Sequence, residues 1–142
     1  MADNTTFTIK GLDSLNARLK GMTGAEIQKT LKQTTDKAVK YVHSQVPPYP
    51  APPPASRYSR TGMLGRSINT QVKEVGSEIQ GVIGSPIEYS PWVISSEAVA
   101  EVGAGPQAWM HKGRWWTLQE VVNKALGEVK RIYSEMLRDM LK

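Results

Sequence analysis

Apolar positions along this chain change their spacing from every second residue to every third or fourth, and each change marks an element. Thr6-Phe-Thr-Ile-Lys10 alternates and predicts a short strand closed by Gly11. Leu12, Leu15 and Leu19 then recur at helical spacing, with Asp13 or Ser14 placed to cap, which predicts a short helix over 13–21. The next stripe is longer: Ile27, Leu31, Thr34, Thr35, Ala38, Val39, Val42 and Val46 share one side. Lys29, Lys32, Asp36, Lys40 and His43 share the other. An amphipathic helix over about 24–46 follows, with one buried stripe and one wet face. Pro47-Pro48 ends it, because proline lacks the amide donor and biases the residue before it away from helix.

The second half returns to alternation. Ile68–Val75 and Glu78–Ile83 read as two strands around a Gly76-Ser77 turn. Ile68, Thr70 and Val72 lie on one face and Asn69, Gln71 and Lys73 on the other; Ile79, Gly81 and Ile83 line up together. A hairpin alone is marginal, so the long helix must pack across it, and the first strand or a fourth must complete the sheet. Glu88–Ser96 reads as a turn and a short helix with Pro91 in its first turn. Residues 97–114 hold Gly103, Gly105, Pro106 and Gly113 and read as a long loop. Residues 115–142 form a second long helix, with Leu118, Val121, Val122, Ala125, Val129, Ile132, Tyr133, Met136, Met140 and Leu141 as its stripe. Glu120/Lys124 and Arg131/Glu135 are spaced as i, i+4 pairs on its polar side. Leu126 and Leu137 widen the stripe, so this helix is either sandwiched or partly covered by another subunit. The expected class is α+β: a small antiparallel sheet packed against one long amphipathic helix and a long C-terminal helix.

At 142 residues the chain suits one domain, 1–142, with extended loops at 47–60 and 97–114. It has no cysteine, which excludes disulfides, thiolate ligands and a cysteine nucleophile. The start Met1-Ala-Asp-Asn-Thr-Thr lacks the basic, then apolar, build of a signal peptide. No stretch approaches the roughly 20 apolar residues that span a bilayer. The expectation is a soluble chain made in the cytoplasm, with no membrane partner. Residues 1–73 hold 11 Lys/Arg against 4 Asp/Glu, whereas 74–142 hold 7 against 9. A basic half can meet nucleic acid or an acidic protein, or can simply be a solvated helix face.

Residues 47–60 hold six of the nine prolines and read as an extended, polyproline-like run with a low entropic cost of docking. It is either a stiff connector or a binding loop. Tyr49, Arg57, Tyr58 and Arg60, beside Pro52 and Pro53, are contact-forming side chains that a plain connector does not need. In the second long loop Trp109, followed by Met110, is the candidate exposed anchor, since Trp is enriched at binding hot spots. Trp92 and Trp116 are expected to anchor the core instead.

Catalytic chemistry finds no support. His43 and His111 have no carboxylate at metal-ligand spacing and read as surface residues, so neither metal nor cofactor is expected. Gly62-Met-Leu-Gly65-Arg-Ser67 lacks the lysine and length of a phosphate loop. Gly103-Ala-Gly105-Pro neither follows a strand nor opens a helix. The alternative to an assembly protein is a basic nucleic-acid-binding module. Lys29, Lys32, Lys40, Arg57, Arg60 and Arg66 would face phosphates, and Tyr49 and Tyr58 would stack on bases. No recognised nucleic-acid motif accompanies them.

The order of parts adds a family resemblance. Ile9-Lys-Gly-Leu-Asp-Ser-Leu15 is followed by a long helix ending in Val46-Pro47. Then come Thr61-Gly62-x-Leu64-x-Arg66-Ser67-Ile68, a strand pair, Ile87-Glu-Tyr89-Ser-Pro-Trp92-Val93 and a long C-terminal helix. Over nearly its whole length the chain resembles the minor tail, tail-completion and head–tail joining proteins of long-tailed bacteriophages. The Pro…Thr-Gly-x-Leu-x-Arg-Ser-Ile piece is the most specific. Two departures stand out: a proline-rich insertion separates Pro47 from Thr61, and Ser96-Glu97-Ala98 and Arg114-Trp-Trp-Thr117 replace the family's usual turn and helix start.

The resemblance implies a virion protein at the neck, present in the host cytoplasm during assembly. Copies would form a homo-oligomeric ring, expected to be hexameric, between a head connector or head-closure protein and a tail tube or tail terminator protein. Genomic DNA would pass through without sequence-specific contact. Tyr49, Pro52, Pro53, Arg57, Tyr58, Arg60, Trp109 and Met110 are then the expected interface residues.

Overall fold

A computed structural model describes residues 3–9, 23–48, 50, 54–55, 62–97 and 106–141. In chain order the elements are β1 (Asp3–Ile9), α1 (Gly24–Ser44), α2 (Met63–Ser67), β2 (Asn69–Val75), β3 (Glu78–Ser85), α3 (Pro91–Ile94) and α4 (Leu118–Met140). The class is α+β, as the periodicity predicts. The expected helix over 13–21 lies outside the described residues, as do most of the proline-rich run and residues 98–105.

Both long helices begin on a feature that periodicity does not report. Thr23 and Glu26 form a capping box at the start of α1, and Thr117 and Glu120 form another at the start of α4. In the second, Glu120 N–H donates to Thr117 Oγ1 (3.2 Å) and Thr117 N–H donates to Glu120 Oε2 (3.0 Å). That box sets the helix start at Leu118, three residues later than expected. It also corrects the Glu120/Lys124 pair, because the Glu120 carboxylate faces back to the cap. Arg131 does pair with Glu135, and with Glu128 as well. Hydrogen bonding from Arg131 holds the Glu128 carboxyl below its usual range.

The sheet order is β1-β3-β2, with β3 antiparallel to both neighbours. Gly76-Ser77 closes the hairpin in two residues, and Gly76 takes its first position at φ 61°, a glycine conformation typical of primed hairpin turns. Ile79 and Ile83 face the helices, and their partners on β2 are Glu74 and Thr70. Val82, which alternation places on the opposite face, is buried as well, so β3 is enclosed on both faces at its C-terminal half.

The helices cover one face of the sheet side by side. α1 lies over β2 and β3, while α4 runs along α1 and approaches β1. Ile27, Leu31, Ile79 and Met136 form one cluster. A larger one joins Ala38, Val42, Leu64, Ile68, Ile83, Ile94, Leu118, Val121 and Ala125. Leu126 packs against the larger cluster and Leu137 against the smaller, each half-buried, so part of the extra width of the α4 stripe is covered within this chain. Only at its end does α4 show a large apolar side chain to solvent, at Leu141.

One polar contact links the two helices inside this packing. The Tyr133 hydroxyl donates to Thr35 Oγ1 at 2.7 Å, and Thr35 is fully buried. Desolvation pushes the Tyr133 phenol from 10.0 up to about 12, partly opposed by the bond to Thr35. The folded chain therefore holds this proton more tightly than the unfolded one. Stability from this group is complete below pH 10 and declines between pH 10 and about 12. Alkaline denaturation of Tyr133→Phe should lack that part of the slope, which urea titrations of both proteins at pH 9 and pH 11 will show.

Candidate protein interface

The surface in question is built from the end of β3 onward. Ser85 closes β3, and its hydroxyl accepts from Ile87 N–H (3.2 Å) and shares a 2.7 Å hydrogen bond with Ser67. Ser67 is the last residue of α2, so the Leu64–Ile68 piece of the signature is fastened to the corner where β3 leaves the sheet. Leu64 and Ile68 are buried there, whereas Arg66 is exposed. Gly62 sits at φ 71° before α2, a left-handed position that suits glycine and explains the Thr-Gly step. On α1, His43 Nε2 lies 3.0 Å from the Ile68 carbonyl, so this exposed histidine is tied to the same corner.

α3 follows, with Pro91 at its start. Its four residues cannot all face inward. Pro91, Val93 and Ile94 are buried, and Trp92 is left 37% exposed. This corrects the expectation that Trp92 anchors the core. Trp116 does pack on the main cluster, but the most deeply buried tryptophan is Trp115. His111 stands edge-on to Trp115 at 6.4 Å, and Trp116 is tilted beside it at 6.1 Å.

The segment from Pro106 onward folds back on α3 through Gln107 and Ala108. Gln107 N–H donates to the Ser95 carbonyl (2.7 Å) and Ala108 N–H to the Trp92 carbonyl (2.8 Å). The Gln107 side chain is buried, and its Nε2 donates to the carbonyls of Val93 (2.5 Å) and Trp115 (3.2 Å). A polar side chain buried in this way must be paired, and here one amide joins α3, the loop and the approach to α4. Beyond it the chain winds tightly. His111 N–H donates to Ala108 O, Arg114 and Trp115 N–H both donate to His111 O, and Gly113 supplies the positive φ of 75°.

At the apex of this wound segment stand Trp109, 81% exposed, and Met110, 53% exposed. Tyr89 and Trp92 are the exposed large side chains of the adjoining α3 segment. Lys112 and Arg114, both exposed, follow the apex in sequence. Leaving a tryptophan in water forgoes about 2–3 kcal/mol of transfer energy, and the hydrogen-bonded base prevents the loop from collapsing to recover it. Such a surface suits contact with another protein.

Of the expected interface residues, Trp109 and Met110 fall in this surface. Tyr49, Pro52, Pro53, Arg57, Tyr58 and Arg60 lie outside the described residues. The contributions of Trp92 and Gln107 go beyond what the sequence pattern suggested. On α1, Lys32 pairs with Glu74 (2.6 Å) and Lys40 with Asp36 (2.6 Å), so the wet face presents less free positive charge than its lysine count implies. Among the described residues no group of three or more His, Cys, Asp or Glu is placed to hold a metal, and no helix is long and apolar enough to cross a membrane. Comparison of the chain with protein-family models, with curated proteins and with solved structures gives no match.

Proposed function

We propose that this chain is a structural subunit of the neck of a tailed phage, acting in tail completion by forming a ring that joins the tail tube to the head connector. The observation that carries an assembly role is the Trp109–Met110 apex, an apolar surface held out on a hydrogen-bonded base. The neck assignment rests on the order of parts and on the Thr61–Ile68 signature. Its partners are copies of itself in a hexameric ring, a head connector or head-closure protein on one side, and a tail tube or tail terminator protein on the other. Function in this reading comes from ring geometry, with contacts that repeat around a closed cycle. DNA passes through without being read. The ion pairs that occupy Lys32 and Lys40 suit that role better than they suit phosphate binding.

The test is genetic and visual. Particles made without the gene should appear in electron micrographs as filled heads and separate tails, and normal tailed particles would overturn the proposal. Deleting residues 48–56 should leave a folded protein with unchanged circular dichroism that no longer supports head–tail joining. A deletion that unfolds the chain would instead make this run part of the fold.

A further inference from the structure

Two surfaces at opposite ends of α4 carry complementary features. The first is the Trp109–Met110 apex. It is fastened to the start of α4 by the Gln107 side chain, which donates to the Trp115 carbonyl, and by the Arg114 and Trp115 N–H groups, which donate to His111 O. From Pro106 to Thr117 the chain holds Lys112 and Arg114 and no Asp or Glu. The apex is thus an apolar tip on a cationic segment. The second surface is an open groove of about 630 Å³ between α1 and the C-terminal half of α4. Ile132, Met136 and Met140 supply its apolar lining. Its charged lining is Lys37 from α1 against Glu135 and Asp139 from α4, beside the negative end of the α4 dipole. Of the arginines in this part of α4, Arg131 is paired with Glu128 and Glu135, and Arg138 is not part of the lining.

The apex cannot fill its own groove. At 1.5 Å per residue α4 rises about 27 Å from Leu118 to Met136, and the apex is tied to the start of that helix. A second copy has no such limit. We infer that the Trp109–Met110 apex of one copy seats in the groove between α1 and α4 of the next, its indole against Met136 and Met140 and its cationic segment toward Glu135 and Asp139. The volume suits this: pockets of about 300–1,000 Å³ hold drug-sized ligands, so an indole with a thioether beside it fits. Methionine side chains adapt to an inserted ring and make favourable sulfur–aromatic contacts. The contact is head-to-tail, since each copy gives one apex and receives another. A row of copies therefore keeps one open apex and one open groove until it closes on itself, as a ring requires. The inference rests on the assembly role proposed for the apex, not on the neck assignment, and it names the surface that receives the apex.

Mixing two half-blocked variants of the full chain tests the contact. Trp109→Ala keeps the groove and loses the anchor. Thr30→Arg with Asp139→Arg keeps the apex and puts bulk and positive charge into the groove, at one half-buried and one exposed lining position. In sedimentation the wild type should associate as concentration rises, and each variant alone should associate about 30-fold more weakly. Mixed in equal amounts, the two should form a one-to-one dimer that grows no further, because only one intact contact can form. Crosslinking gives a second readout that leaves Trp109 and the apolar lining of the groove in place. The chain has no cysteine, so Met110→Cys with Lys37→Cys should be joined by a short bismaleimide into a ladder of multimers. Neither single-cysteine variant should give one. A wild type that stays monomeric at every concentration overturns the inference, as does a folded mixture that stays monomeric or a double-cysteine chain without a ladder. Association indifferent to the two arginines overturns it too, but leaves the apex its assembly role if Trp109→Ala still blocks association. Indifference to Trp109→Ala removes the apex and the inference together.

Discussion

Gln107→Met should lower the stability of the folded chain by about 3 kcal/mol, read as a shifted urea midpoint with an unchanged slope. Methionine keeps the length and most of the volume of glutamine, so packing is nearly conserved. What is lost is the Nε2 donor, leaving the Val93 and Trp115 carbonyls without their buried partner. Each buried acceptor left unsatisfied costs about 1–3 kcal/mol. The backbone bond from Gln107 N–H to Ser95 survives the substitution, so the loop should loosen before it detaches. Exchange of the Ala108 amide, which bonds Trp92, should therefore quicken more than the exchange of amides in the middle of α1. A variant as stable as the wild type would mean that water replaces the lost donor and that the amide is not the fastener of this loop.

Trp109→Ala should do the opposite: change stability by less than about 0.5 kcal/mol and abolish assembly. The indole is 81% exposed, so little packing is removed from the isolated chain. At a protein interface an anchor of this kind is worth about 2 kcal/mol or more, or roughly 30-fold in affinity for a single contact. In a ring the loss recurs at every equivalent contact. Thermal melting and the yield of joined particles measure the two effects separately. Met110→Ser should act in the same direction and more weakly, because Met110 is less exposed and methionine adapts to altered contacts. Joined particles at normal yield from Trp109→Ala would remove this apex from the assembly surface.

The contrast between these two neighbours shows which parts of the structure could be read in advance. Trp109 was visible as a candidate because an aromatic residue in a loop rich in glycine and proline has no periodic partner to pack with. Gln107 was not, because nothing local distinguishes a buried glutamine from a wet one; its two acceptors lie 14 and 8 residues away. The long stripes of α1 and α4 and the alternation of the hairpin carry their own signal, so those elements fall where the pattern puts them. Their ends are less legible. A helix over 115–142 takes in both tryptophans, but Thr117 and Glu120 cap it after them. Trp92 misled for a related reason: an apolar residue beside Val93 and Ile94 reads as core, and only the shortness of α3 turns it outward. The opposite burial of Val82 was also hidden, since alternation describes one covered face and β3 has two.

The strand order has a consequence for how the chain is made. β2 and β3 are neighbours in sequence and can zip together as soon as both exist, but Ile9 in β1 must wait for Ile79. During synthesis that wait is on the order of ten seconds. Throughout it the future edge strand is an unpaired nascent segment. Its composition suits the delay: Asp3-Asn-Thr-Thr-Phe-Thr-Ile is mostly small and polar, with little to draw it into premature aggregates. The sheet is thus completed by the strand that is synthesised first of the three.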